Sequence, residues 1–276
     1  MKKYLLLCVF SVCVVLLISC HKSKPEIVND FIDAKNSYDT EKMSQYLTDD
    51  FMYYYGDTVR INDRSEYLDK AVWGNYKINE HKTTLLKIQD LDSVIKTEEI
   101  VSTLTDSLLG VNPKIVFKTT YMFSGDKLKS ITVDSILNLE EYQKSYNENF
   151  IPFAFYMQDK YDIQDETEPT IENIIKYLKE YVALPISERK EYSTYAHLQG
   201  AFTSNDCHLY KALIFRGKKT VTIIDGFFGF PFATSYEIDE NYIRIRTDKS
   251  DLLFEIKDSE TLIGEGFAQG IFTKSN

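Results

Sequence analysis

The chain has 276 residues and a formal net charge of −10, and no basic cluster offsets that charge. This balance excludes nucleic-acid binding, because contact with phosphates needs a positive surface. Its 20 tyrosines and 17 phenylalanines can fill real cores, and the length fits two domains rather than one.

Lys2 and Lys3 precede an almost wholly apolar run, Tyr4 to Ile18. The run is shorter than the ~20 residues a spanning helix needs, and its basic flank is that of a signal peptide. Leu17-Ile18-Ser19-Cys20 closes it: an aliphatic residue, two tolerant positions ending in a small one, then cysteine. This quartet resembles the lipobox of bacterial lipoproteins. The resemblance implies cleavage before Cys20, diacylglycerol on its sulfur through a thioether, and a further acyl chain on the new amine. At about 0.8 kcal/mol per buried methylene, several such chains anchor a protein without a spanning helix. On this reading residues 1–19 are a signal peptide and 20–25 a lipidated polar tether. The mature chain is expected on a membrane of the bacterial cell envelope, the outer membrane by preference, facing the periplasm or the exterior.

Cys8 and Cys13 leave with the leader, and Cys20 carries lipid, so Cys207 is left without an intramolecular disulfide partner. It reads as a small buried residue. There is no CxxC pair, and Cys207-His208 has no second pair nearby, so no metal and no cofactor are expected.

A first domain is expected over 26–165. Ile27, Val28, Phe31, Ile32 and Ala34 recur at helical spacing. Thr40 is placed to cap a short helix, Glu41 to Leu47, which Thr48-Asp49-Asp50 stops. Phe51 to Tyr55 is a strand by composition, and Ser65 to Trp73 a third helix. Four β segments follow as an antiparallel meander: Lys82 to Gln89, Ser93 to Thr105, Lys114 to Phe123 and Lys127 to Ile136, with a loop at 106–113. Leu139 to Tyr146 can form a closing helix, Phe150 to Met157 is apolar and aromatic, and the acidic run 162–169 reads as the boundary.

The order helix, short helix, Leu47-Thr48-Asp49-Asp50-Phe51, strand, helix and then sheet resembles the NTF2-like superfamily, including its SnoaL-like members, over about residues 25–137. The resemblance implies a strongly curved antiparallel sheet with packed helices around a conical pocket. Some members are isomerases, cyclases or dehydratases with an Asp, His or Tyr in the pocket; many others only bind ligands or partners.

Tyr53, Tyr55, Trp73 and Tyr121 are the candidate ligand-binding residues, with hydroxyls to orient a ligand; as single residues each also suits core packing. His81 sits at a strand edge, and Asp49-Asp50 reads as a helix stop. Glu98 and Glu99 fall mid-strand in an alternating run, so only one can face inward, and that one is worth a mutation. No His-Asp catalytic pair can be assigned, and no catalytic residue is named.

A second domain is expected over 166–276. Ile171, Ile174, Ile175, Leu178 and Val182 form a helical stripe ended by Pro185, and Ser187 to Tyr195 adds a further turn or two. Short strands follow, with turns every eight to twelve residues, arguing a small barrel or sandwich. Their rhythm over about 198–274 resembles lipocalin-like β-barrel modules. The loop Gly226-Phe227-Phe228-Gly229-Phe230-Pro231-Phe232 is a binding patch if exposed; its composition reads more as a plug or a domain contact.

The fold class is therefore α+β, an NTF2-like domain followed by a mostly-β barrel or sandwich with one or two leading helices. The expected role is a non-catalytic binding module for a small apolar or amphipathic ligand or an envelope protein. The alternatives are an NTF2-like enzyme on a small hydrophobic substrate and a purely structural envelope protein. A polar titratable pair deep in the pocket favours the enzyme. If the anchor reading holds, metabolic labelling with a fatty-acid analogue marks the natural chain and not Cys20→Ala; equal label in both removes it.

Overall fold

The structure is a computed structural model that describes residues 22–161, 169–248 and 250–275. The stretch expected to be a signal peptide, Cys20 and nearly all of the acidic run 162–169 lie outside the described residues. The chain divides into two compact units. One comprises the chain up to residue 107 together with 111–143, the other 108–110 together with the chain from 144 onward.

The first unit opens with α1 (Lys24–Asn36) and α2 (Thr40–Tyr46). Ser23 and Glu26 form a capping box at the start of α1, which satisfies two of the helix's free N–H groups. The cap of α2 is Asp39, whose carboxylate accepts from the Lys42 N–H, one residue before the Thr40 expected from sequence. The strand expected over Phe51 to Tyr55 begins earlier, as β1 (Leu47–Tyr55), so Asp49 and Asp50 lie in a strand and do not end a helix. β2 (Thr58–Ile61) returns along it.

The expected third helix is two, α3 (Arg64–Tyr67) and α4 (Lys70–Ile78). Asp69 splits them, because its side chain caps α4 by accepting from the Ala71 N–H at 2.7 Å. Next come β3 (Lys82–Asp90), β4 (Val94–Ser102), a short α5 (Leu104–Leu109) where a loop was expected, β5 (Ile115–Ser124) and β6 (Lys127–Ile136).

These six strands form one sheet in the order β2-β1-β6-β5-β4-β3. It is antiparallel except at β1, which runs parallel to β6. The four-strand meander expected over 82–136 is antiparallel throughout; β1, which stood outside it, meets β6 only after intervening helices and strands, with no hairpin to impose antiparallel pairing. Register shifts in β1, β3 and β5 mark bulges, which bend and twist strands. The core under α1 joins Val28, Phe31, Ile32 and Ala34 to Trp73, Ile95, Tyr121, Leu128 and Ile131.

α6 (Leu139–Tyr161) runs through Pro152 and buries Phe153, Phe155, Tyr156 and Met157. α7 (Ile171–Ala183) and α8 (Ile186–Leu198) follow. The later part of α6 meets these helices through rings: Phe153 and Tyr156 reach Tyr181, and Phe155 stacks on Tyr195. Tyr195 in turn lies 5.9 Å from Tyr236 on the barrel. Lys218 closes the same seam, 3.7 Å over the Tyr192 ring and ion-paired to Asp159 at 3.4 Å.

The remaining strands are β7 (Gly200–Thr203), β8 (Tyr210–Arg216), β9 (Thr220–Asp225), β10 (Pro231–Asp239), β11 (Tyr242–Arg246), β12 (Asp251–Ile256), β13 (Thr261–Gly264) and β14 (Gly270–Lys274). All pair antiparallel, and β14 meets β7 to close an eight-stranded barrel, which decides between the expected barrel and sandwich. Inward positions alternate along each strand: Leu213 and Phe215, Val221 and Ile223, Ile243 and Ile245, Leu252 and Phe254. With Phe202, Leu262, Phe272 and Cys207 they make one buried cluster, so the interior is filled by side chains, as an eight-stranded barrel can be. At Gly264 an added Cβ would sit 2.0 Å from the Ala268 carbonyl oxygen, so that position needs glycine.

Phe215 is 1% exposed and meets the rings of Phe202 and Tyr236 edge-on. Phe215→Ala should destabilise the barrel by about 3–5 kcal/mol. Urea unfolding should show a lower midpoint at unchanged slope.

Candidate functional site

Alternation along β4 turns Ile95, Thr97 and Glu99 to the helix-covered face, while Lys96 and Glu98 point away. Across the ladder Ile95 pairs with Tyr121 and Thr97 with Thr119. Glu99 is 3% and Tyr121 1% exposed. The Tyr121 hydroxyl donates to Glu99 Oε1 at 2.7 Å, and the Thr97 hydroxyl donates to the same oxygen at 2.5 Å. A buried carboxyl group costs free energy unless hydrogen-bonded, and these two donors supply that need. Burial first, and the Glu99 carboxylate second, push the Tyr121 phenol well above its ordinary value, so it stays a donor.

Around this pair lie further polar groups, some buried and some half-buried. Lys35 is half-buried and continues the core stripe of α1, four residues on from Phe31. Desolvation lowers its pKa, and the charge of Glu99 partly offsets that. Among the described residues no hydrogen bond or ion pair takes the Lys35 amine.

Asn36 fixes the end of α1 to the edge of β3: its amide donates to the Thr83 carbonyl and accepts from the Thr83 N–H, both at 2.8 Å. The Thr83 hydroxyl itself is buried without a hydrogen-bond partner among the described residues. His81 lies at the start of the same strand, with its pKa lowered to about 4 by burial and then by the Lys35 charge. Its ring stacks on Tyr76 at 4.7 Å. Tyr76 continues through Trp73 at 5.2 Å and Tyr67 at 5.9 Å to Tyr53 at 5.8 Å. Burial, helped by Tyr76 and Glu99, pushes the Tyr53 phenol up to about 12.

The four residues expected from sequence are therefore distributed unequally. Tyr53 and Trp73 meet the ring of Tyr67, and Tyr121 holds the buried carboxyl group. Trp73 is 4% exposed and its indole N–H donates to the Tyr67 carbonyl, so its polar end is already used. Tyr55 is 41% exposed at the end of β1 with Arg60 5.7 Å from its ring. Glu99 answers the question left open by the Glu98-Glu99 doublet. Lys35, Tyr67 and Tyr76 were not foreseen. Only Lys35 carries a signal in the sequence, a basic residue in register with an apolar helical stripe. Among the described residues no group of three His, Cys, Asp or Glu side chains could hold a metal ion.

The molecule is thus an α+β protein: a helix-covered six-stranded sheet with a buried tyrosine–glutamate pair, and a closed, filled barrel. No protein-family profile matches the sequence, and no curated protein does. Among solved structures, an NTF2-like protein of unknown function from Cytophaga hutchinsonii is similar at 12% identity and a TM-score of 0.35, over 45% of this chain and 97% of its own. An NTF2-like protein from Burkholderia thailandensis is similar at 12% identity and a TM-score of 0.36, over 43% and 93%. A de novo designed protein with a curved β-sheet is similar at 17% identity and a TM-score of 0.32, over 45% and 94%.

The folded pKa of His81 lies below its ordinary 6.5, so acid favours the unfolded chain. This contribution to stability is flat above pH 6.5 and is lost as pH falls from there toward about 4. NMR titration should find the His81 imidazole neutral at pH 6 and titrating near about 4, and Lys35→Met should move that midpoint upward.

Proposed function

We propose that the first unit binds a small, mostly apolar molecule whose polar end engages Glu99, Tyr121 and Lys35 on the helix-covered face of the sheet. The observation that carries this is the pair of donors converging on Glu99 Oε1, within reach of the charge of the Lys35 amine, which has no partner of its own among the described residues. Ligand sites are mostly apolar with a few convergent polar groups, and the ring series Tyr53, Tyr67, Trp73 and Tyr76 supplies the apolar part. A ligand offering both a donor and an acceptor, such as a hydroxyl or an amide, complements a carboxyl group beside an amine. The sequence supports the further reading that the chain is lipid-anchored at Cys20 in a bacterial envelope, where such a ligand or an envelope protein would be met.

A second reading, an enzyme on a small hydrophobic substrate, has two observations in its favour: the buried Glu99–Tyr121 pair is the polar titratable pair it calls for, and a neutral imidazole lies in the same unit. His81 with its lowered pKa is an acceptor at neutral pH, and Tyr53 and Tyr121 remain donors. Such a set can move a proton on a bound hydrophobic substrate.

Native mass spectrometry of the chain from His21 onward should detect a co-purifying small molecule, and Glu99→Gln should lose it while keeping the fold. Trp73, in ring contact with Tyr67 and Tyr76, should report binding by a change in emission. Tyr121→Phe should cost about 1–3 kcal/mol of stability, because it strips a donor from a buried carboxyl group. Absence of any adduct, together with Trp73 emission indifferent to apolar probes, would leave a scaffold and remove the binding reading.

A further inference from the structure

The aromatic loop between β9 and β10 does not plug the barrel, contrary to the reading of its composition. The interior is already filled, and Phe227, Phe228 and Phe230 are 71%, 80% and 68% exposed. Their backbone is nevertheless tightly organised. The N–H groups of Phe227 and Phe228 donate to Asp225 Oδ1 at 2.9 and 2.7 Å, and that of Phe230 donates to Oδ2 at 2.6 Å. The Gly226 N–H donates to the Leu209 carbonyl at 2.8 Å. An added Cβ at Gly226 would lie 2.3 Å from the His208 carbonyl oxygen, so only glycine permits this approach.

In an up-and-down barrel the β7–β8, β9–β10, β11–β12 and β13–β14 connections emerge at one end. Asp206 links two of them by accepting the Ile271 N–H at 3.0 Å. That end therefore also carries Phe267, 71% exposed, and Ile271, 51% exposed. The charged groups of these loops are mainly carboxylates, and those of Asp206 and Asp225 are turned back onto the chain by hydrogen bonds that lower their pKa values.

We propose that this end of the barrel is a membrane-insertion tip, which buries Phe227, Phe228 and Phe230 in the interfacial layer of a zwitterionic phospholipid bilayer. Backbone donors must be satisfied before a loop can leave water, and here Asp225 and Leu209 already satisfy them. No side chain from Gly226 to Ala233 can make a hydrogen bond. This stretch therefore offers a protein partner no side-chain hydrogen bond, and the Asp206 and Asp225 carboxylates beside it are already engaged by the chain's own N–H groups. The carboxylates offer no attraction to anionic lipid, so apolar insertion is the driving force and zwitterionic lipid the matching surface. The inference is independent of the Cys20 anchor and of the ligand proposed for the first unit.

The test uses the unlipidated chain from His21 to Asn276 and phosphatidylcholine vesicles. The chain should sediment with the vesicles, and Phe228→Ser and Phe230→Ser should each weaken partitioning by roughly tenfold or more. Because these rings are mostly exposed, both variants should keep the natural far-UV spectrum and melting temperature. In Phe228→Trp, the new indole should be quenched by lipids brominated along their acyl chains, beyond any quenching of Trp73. The proposal is overturned if the natural chain stays in the supernatant at millimolar lipid, as a tip built for a protein groove would. Binding confined to anionic vesicles, unaltered binding by the serine variants, or an unquenched indole each overturns it as well.

Discussion

A strand can turn only every second side chain toward one face, and in β4 that constraint carries Glu99 inside with Ile95 and Thr97. A slip of one residue would return Glu99 to water but expose Ile95, which sits at the centre of the core beneath α1. The apolar register therefore forces a carboxyl group into the interior, and the neighbouring strand must answer it. Tyr121 does so with its hydroxyl, while its ring still packs on Phe31. The site is thus built into the packing of the sheet rather than added at its margin.

The two units resolve the same chemistry in opposite ways. The first keeps polar, titratable groups inside and surrounds them with rings. The barrel fills its interior with aliphatic and phenylalanine side chains and displays further phenylalanines on a loop outside. Tyr195 of α8 and Tyr236 of β10 join that helix to the wall, with Lys218 held among Tyr192, Asp159 and Glu191. A lipocalin-like rhythm of strands is thus compatible with an interior lined by one packed apolar cluster.

What could be read from sequence was local. The stripe of α1 and the succession of short strands have period and punctuation, and the structure has them. The Glu98-Glu99 doublet was recognisable as a choice between two faces, but deciding it required the pairing of Ile95 with Tyr121. The parallel pairing of β1 with β6 joins segments far apart in the chain and leaves no short-range mark. Asp69 did not stand out as a cap, because the apolar residues on both sides of it let a single helix read straight through. Lys35 was passed over because a lysine in a helix is ordinarily solvated, and its neighbours Phe31 and Ala34 contradict that only once the stripe is followed through it. Phe227 to Phe232 misled for the converse reason, since apolar composition alone cannot say which side of a wall a loop occupies.

The barrel closes where β14 meets β7, through the pairs Thr273–Thr203 and Lys274–Phe202, with the Ser275 N–H donating to Ala201. These are the first and last strands of the barrel in order of synthesis. Until β14 is in place, β7 to β13 can only form an open sheet, with β7 and β13 as raw edges and half of an apolar interior facing water. No intermediate closure shortens that interval, because every other pairing in the barrel joins strands adjacent in sequence. The most vulnerable moment in this protein's life therefore falls just before the last strand arrives, when a holding chaperone would find a phenylalanine-lined trough in place of a sealed cylinder.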